Sequence, residues 1–155
     1  MTAVAIGKYF KVPGNKIKQA IEAYIPTNNR SQIVRKGSNT FILDAYNANP
    51  TSMREAVLNL SRTEAPRKVA ILGDMLELGT FSESEHKAII DFALEQKVEE
   101  ILLVGQSFAA PAAKRQLPHF ENITQLRDWF NQQVYEDTHF LVKGSRGIRL
   151  EQLFD

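Results

Sequence analysis

"KVAILGDMLELG", residues 68 to 79, drives four consecutive apolar residues into Gly73 and then presents two acids, Asp74 and Glu77. A strand with one wet face alternates polar and apolar positions, so a run that is apolar throughout must be covered on both faces. The pattern returns in "EILLVG" (100 to 105) and "THFLVKG" (138 to 144), each again stopped at Gly. Such segments predict an α/β domain with a mostly parallel sheet between layers of helices. Ligands of such sheets bind beyond the carboxyl ends of the strands, which directs attention to "DAYNANP", "GDMLELG", "GQS" and "KGSRG".

Outward from these strands, helical periodicity predicts helices over 51 to 62, 82 to 96, 107 to 115, 124 to 135 and 148 to 154, with a short strand around His119 and Phe120. The "SESE" at 82 to 85 predicts a capping Ser and acids that suit the positive end of the helix dipole. On the amino-terminal side, "QIVRKG" and "NTFILDAY" read as strands joined by a turn at Gly37, Ser38 and Asn39. Before them, "AVAIGKYFKVP" and "NKIKQAIEAYIP" read as two short helices, each closed near a Pro. The polar break "TNNRSQ" places a boundary near residues 26 to 30.

Composition narrows the class. The 155 residues are 43% hydrophobic, enough for one compact core, and 19 Lys plus Arg nearly balance 18 Asp plus Glu. No basic face announces nucleic acid or an anionic membrane, so any anion site is local. The absence of Cys excludes disulfides and thiolate metal sites and fits a reducing compartment. No run approaches the length of a membrane span, and the amino terminus lacks a signal-peptide core, so a cytoplasmic location is expected.

Three strand exits carry chemistry. In "DAYNANPTSM", Asp44 can accept from a ribose hydroxyl or a metal-bound water, Asn47 and Asn49 both donate and accept, and Pro50 starts a helix; an Asx-rich capped turn explains the same residues. In "GDMLELG", Asp74 and Glu77 put carboxylates at the ligand edge; the competing reading is a helix-initiating acid with a hydrophobic plug. In "LVKGSRG", Lys143, Ser145 and Arg146 suit a carboxylate or phosphate, against a solvated basic turn. No phosphate-binding Gly-Lys-Ser/Thr loop occurs in the chain. Among His86, His119 and His139 no pair has metal-binding spacing, so no metal site is expected.

Taken together, "NNRSQ", "LDAYNANPTSM", "ILGDMLELG", His86 and "LVKGSRG" resemble, in order and distance, the carboxy-terminal domain of the Mur ligase family. The resemblance implies a Rossmann-like three-layer sandwich over residues 30 to 155, with residues 1 to 29 as the helical tail of a central ATPase domain. It further implies ATP-dependent amide formation in peptidoglycan precursor synthesis. ATP and Mg²⁺ would be bound mainly by that central domain, and a UDP-N-acetylmuramoyl-tripeptide and D-alanyl-D-alanine would be the other substrates. By the same likeness Arg30 and Lys143 would be catalytic, and Asp44, Tyr46, Asn47, Asn49 and Asp74 would face the nucleotide. Lys143, Ser145 and Arg146 would hold the dipeptide. Relatives often carry a second acid beside Asp44, where this chain has Ala45. Another ATP-dependent amide ligase, such as a different Mur ligase or a folylpolyglutamate synthase, and a non-catalytic nucleotide-binding module remain as alternatives.

Overall fold

The structure is a computed structural model that describes residues 2–24, 29–96 and 98–155. Six strands form one sheet: β1 (Gln32–Lys36), β2 (Asn39–Asp44), β3 (Arg67–Gly73), β4 (Glu100–Val104), β5 (His119–Phe120) and β6 (Thr138–Lys143). Their spatial order is β1-β2-β6-β3-β4-β5. Only the β1–β2 pair is antiparallel. The last strand of the chain is therefore inserted between the second and third, with Asp44 opposite Lys143 and Leu72 opposite Lys143 in its two registers.

Alternation along each strand divides the core into two layers. Ala70, Leu72, Leu103 and Leu141 pack on one face, with Met53, Val57 and Leu60 of α3 (Pro50–Arg62), Ile89, Ile90 and Ala93 of α4 (Ser82–Glu95), and Phe108 and Ala112 of α5 (Gln106–Ala113). Val69, Ile71, Leu102 and Val142 pack on the other, against Ile123 and Leu126 of α6 (Ile123–Phe130) and Leu150 and Leu153 beyond β6. Both sheet faces are dry, which is why these strands are apolar at successive positions. Burial of this set is the main source of stability.

The two opening helices, α1 (Thr2–Tyr9) and α2 (Gly14–Glu22), pack on one another, with Ile17 of α2 against Gly7 of α1. The large side chains Tyr9, Phe10, Ile21 and Tyr24 remain exposed. Most of the expected boundary near residues 26 to 30 falls on residues 25–28, outside the described residues. No helix among those described is long and apolar enough to cross a membrane.

Three local expectations are corrected. The expected helix over 148 to 154 is two 3-10 segments, Arg146–Ile148 and Leu150–Phe154, because Arg149 takes the left-handed conformation at φ 58 and resets the chain direction. The helix expected to reach Tyr135 stops at Phe130, where the amides of Gln132 and Gln133 turn to carbonyls three residues back. Ser82 is not a cap: a 3-10 turn at Gly79–Phe81 runs directly into α4, so Ser82 is already its first helical residue.

At the amino-terminal edge of the parallel strands, the Tyr135 hydroxyl donates to Glu100 Oε1 at 3.1 Å while the Arg67 guanidinium lies 4.7 Å from the tyrosine ring centroid. Burial, assisted by the Glu100 carboxylate, raises the Tyr135 pKa well above its ordinary value. The contribution of this group is therefore intact below about pH 10 and is lost as pH rises from there through the higher folded value. Urea unfolding across alkaline pH should show stability falling above about pH 10, with a shallower fall in Tyr135→Phe. At the opposite edge, Gly105 has φ 115, and a Cβ there would meet the Asp74 carboxyl carbon at 2.3 Å. Gly105→Ala should lower unfolding free energy by about 3 kcal/mol in the same assay, from backbone strain and overpacking together.

Candidate functional site

At the carboxyl ends of β2 and β6, the Lys143 ammonium donates to Asp44 Oδ2 at 2.6 Å and to the Asn47 carbonyl at 3.0 Å. Lys143 is 1% exposed, so its charge is neutralised within the fold rather than offered to solvent. Register explains the pairing: residues opposite each other in adjacent strands carry the two charges. The same ammonium anchors the first turn of the loop after β2. That loop then ends in a reciprocal cap, with Asn49 Oδ1 accepting from the Ser52 amide at 2.8 Å and Ser52 Oγ accepting from the Asn49 amide at 3.1 Å. Pro50 at the first helical position needs no donor there.

The loop after β3 is a hub. Asp74, 4% exposed, accepts on its carboxylate from the amides of Ser107 at 2.9 Å and Phe108 at 3.3 Å, closing the amino terminus of α5, whose own cap position is Gly105. Its backbone donates to the Val104 carbonyl at 2.9 Å and accepts from the Ser145 amide at 3.0 Å. Buried His86 accepts on Nε2 from the Met75 amide at 2.9 Å. That contact assigns the ring proton to Nδ1, which donates to the Ser82 carbonyl at 2.7 Å. Finally the Leu76 amide donates to Ser145 Oγ at 2.9 Å. Residues 74 to 76 thus tie the ends of β3, β4 and β6 into one rigid rim.

What remains turned outward is cationic and aromatic. The Arg30 guanidinium lies 3.9 Å from the Tyr46 ring centroid and that of Arg146 lies 5.4 Å from it. Both arginines are exposed, and among the described residues neither has a carboxylate partner. Three clefts open around Tyr46: one of about 350 Å³ between Arg30, Arg146 and Glu151, one of about 400 Å³ beside Asp44, Asn47 and Lys143, and one of about 300 Å³ toward Glu77 and Arg146. Arg30, Tyr46, Asn47 and Arg146 can meet a ligand directly. Asn49, Asp74 and Ser145 have their side-chain oxygens engaged by backbone amides, and Lys143 has Asp44.

Glu151, which borders the first cleft with one buried carboxylate oxygen unpartnered, was not expected from sequence. Its approach depends on the 3-10 coil after β6, and no local motif signals that fold-back. Among the described residues no three His, Asp or Glu are grouped so that they could hold a metal ion. Asp74 has both carboxylate oxygens engaged by helix amides, whereas Asp44 gives Oδ2 to Lys143 and keeps Oδ1 toward the cleft.

The sequence profile described as "Mur ligase, glutamate ligase domain" matches residues 29–146. The chain is 31% identical over 160 residues to the UDP-N-acetylmuramoyl-tripeptide--D-alanyl-D-alanine ligase of Treponema pallidum (strain Nichols), covering 99% of this chain and 35% of that protein. It is 33% identical over 164 residues to the protein of the same description from Bacillus subtilis (strain 168), with 99% and 35% covered. A crystal structure of MurF from Acinetobacter baumannii superposes with TM-score 0.81 at 30% identity over 94% of this chain and 34% of that one. MurF from Thermotoga maritima in complex with ADP shares the fold, with TM-score 0.68 at 20% identity over 85% and 31%. The chain spans about a third of the length of the curated relatives it matches.

The geometry separates two residues that look alike in sequence. Asn49→Ala removes the cap of α3 and should lower unfolding free energy by about 1 kcal/mol. Asn47→Ala removes an exposed side chain with no hydrogen bond to another described residue, and should leave denaturant unfolding unchanged within about 0.5 kcal/mol.

Proposed function

The chain belongs to the Mur ligase family, and from that membership we propose that it is the carboxy-terminal domain of an ATP-dependent ligase joining D-alanyl-D-alanine to a UDP-N-acetylmuramoyl-tripeptide in peptidoglycan precursor synthesis. The observation that carries this reading is the pair of exposed guanidinium groups on Tyr46, set at the carboxyl edge of the sheet and without a carboxylate partner among the described residues. Arginine is suited to planar anions such as carboxylate and phosphate. A domain that presents two such groups on one aromatic ring is built to receive anionic ligands.

In this proposal residues 30 to 155 form the ligase domain and residues 1 to 29 belong to the tail of a central ATPase domain. The exposed Tyr9, Phe10, Ile21 and Tyr24 of the opening helices support an additional protein surface there. Arg30, between the two parts, approaches the phosphates of ATP, and the Tyr46 and Asn47 loop faces the nucleotide. ATP supplies the activation of the precursor's carboxylate. Arg30 places positive charge where negative charge develops, and the paired Lys143 holds the Asp44 to Asn47 loop in position for it. Closure of this domain on the rest of the enzyme excludes water from the reacting carboxyl group. Mg²⁺ is held mainly by ligands in the remaining part of the enzyme, a placement that follows from the family resemblance; Asp74, with both oxygens on helix amides, fits a structural role here. The chemistry of a UDP-linked precursor puts the enzyme in the cytoplasm.

In the longer ligase carrying this domain, Arg30→Ala should reduce kcat/KM about 100-fold, and Arg30→Lys should recover only part of it because an ammonium lacks the planar fork. The 155-residue chain supplied with ATP, Mg²⁺, precursor and dipeptide should release no phosphate. Turnover by that chain would overturn its reading as one domain of a composite site.

A further inference from the structure

Between the ends of β3 and β6 lies the cleft of about 300 Å³ whose walls include Leu76, Glu77, Ser145 and Arg146. That is the lower end of the size range for small-molecule sites. Its two sides carry opposite charge. Glu77 comes from the β3 loop and Arg146 from the β6 loop; both are exposed, and among the described residues neither makes a salt bridge. Both loops are fixed by the Leu76 to Ser145 and Ser145 to Asp74 hydrogen bonds, so the charges stand on a rigid frame. Leu76, 44% exposed, gives the cleft an apolar wall, and Gly147 makes room for it: a Cβ there would come within 2.8 Å of Leu76 Cδ1.

Glu77 also holds a left-handed backbone at φ 69. A non-glycine residue adopts that conformation at a cost, and such strain concentrates where a side chain is needed. Two positions on, Gly79 meets the same backbone demand at φ 54 without strain. Of these two left-handed positions, the one that carries a carboxylate is the one that lines the cleft.

We infer that this cleft takes a small zwitterion, with its ammonium on Glu77 and its carboxylate on Arg146, the apolar side chains lying toward Leu76. The inference rests on the reading that this domain receives D-alanyl-D-alanine, and it names the residue that recognises the amino end. It also removes Lys143 as the dipeptide's counter-ion, because Asp44 already neutralises that ammonium.

The test is calorimetric titration of the 155-residue chain with three probes: D-alanyl-D-alanine, its N-acetyl derivative and its carboxamide. The wild-type chain should bind the free dipeptide about tenfold more tightly than either derivative, the ratio expected for losing one charge-assisted hydrogen bond. Glu77→Gln should bind the free and acetylated forms alike while still discriminating against the amide, and Arg146→Gln should show the reverse. Glu77→Gly should lose the same discrimination while melting about 2–4 °C higher, which separates recognition from folding. A Glu77→Gln chain that keeps the wild-type preference for the free amine overturns the assignment of Glu77 and leaves the domain's function standing. Absence of binding of all three probes to the wild-type chain overturns this cleft as the zwitterion site, while the ligase reading stands or falls on turnover by the longer enzyme.

Discussion

A single ammonium, that of Lys143, carries the burden of holding two strand ends and a loop in register. Removing such a charge from water is costly, and the cost is offset here only because Asp44 and the Asn47 carbonyl both meet it. Truncating either partner leaves an uncompensated charge, on the order of 3 kcal/mol for a buried pair and less where one partner is a quarter exposed. The pair exists because β6, last in sequence, is inserted between β2 and β3. Everything that faces the ligand edge takes its position from that insertion.

Around this pair the edge divides into a scaffold and a surface. The scaffold is the hydrogen-bonded rim of Asp74, Met75, Leu76, His86 and Ser145, in which a neutral imidazole and a carboxylate satisfy backbone amides that would otherwise be buried and unpaired. The surface is Arg30, Tyr46, Asn47, Glu77 and Arg146, of which Glu77 and Arg146 stand on the two loops that the rim joins. Preorganised charges are more effective than mobile ones because no reorganisation is required when a ligand arrives.

Much of this was legible in the sequence. The strings "VAILG", "ILLVG" and "FLVKG" identify doubly covered strands because a strand buried on both faces has no position left for a polar residue. The loops at the ends of those strands then fall at the ligand edge by the geometry of parallel sheets alone. The start of α3 was equally readable, since Asn49, Pro50 and Ser52 satisfy a local rule within a single turn. The competing readings of that stretch both hold a share of it: Asn49 is a cap, and Asn47 and Tyr46 face the cleft.

Sequence by itself determined the class of fold, the strand order's parallel character and which loops carry chemistry, because those follow from periodicity and from residue types within a few positions. Tertiary structure alone decided which polar groups are free. Asp74 and Glu77 sit three residues apart in one loop, yet the first is enclosed by the amino terminus of α5 and the second stands in a cleft. Lys143 and Arg146, read together as a basic turn, part in the same way: one is sealed against Asp44 and the other lies beside Tyr46. The partners that decide these fates come from other elements of the fold, 30 to 100 residues away, and a charge is available to a ligand only when no nearer opposite charge or amide has already taken it.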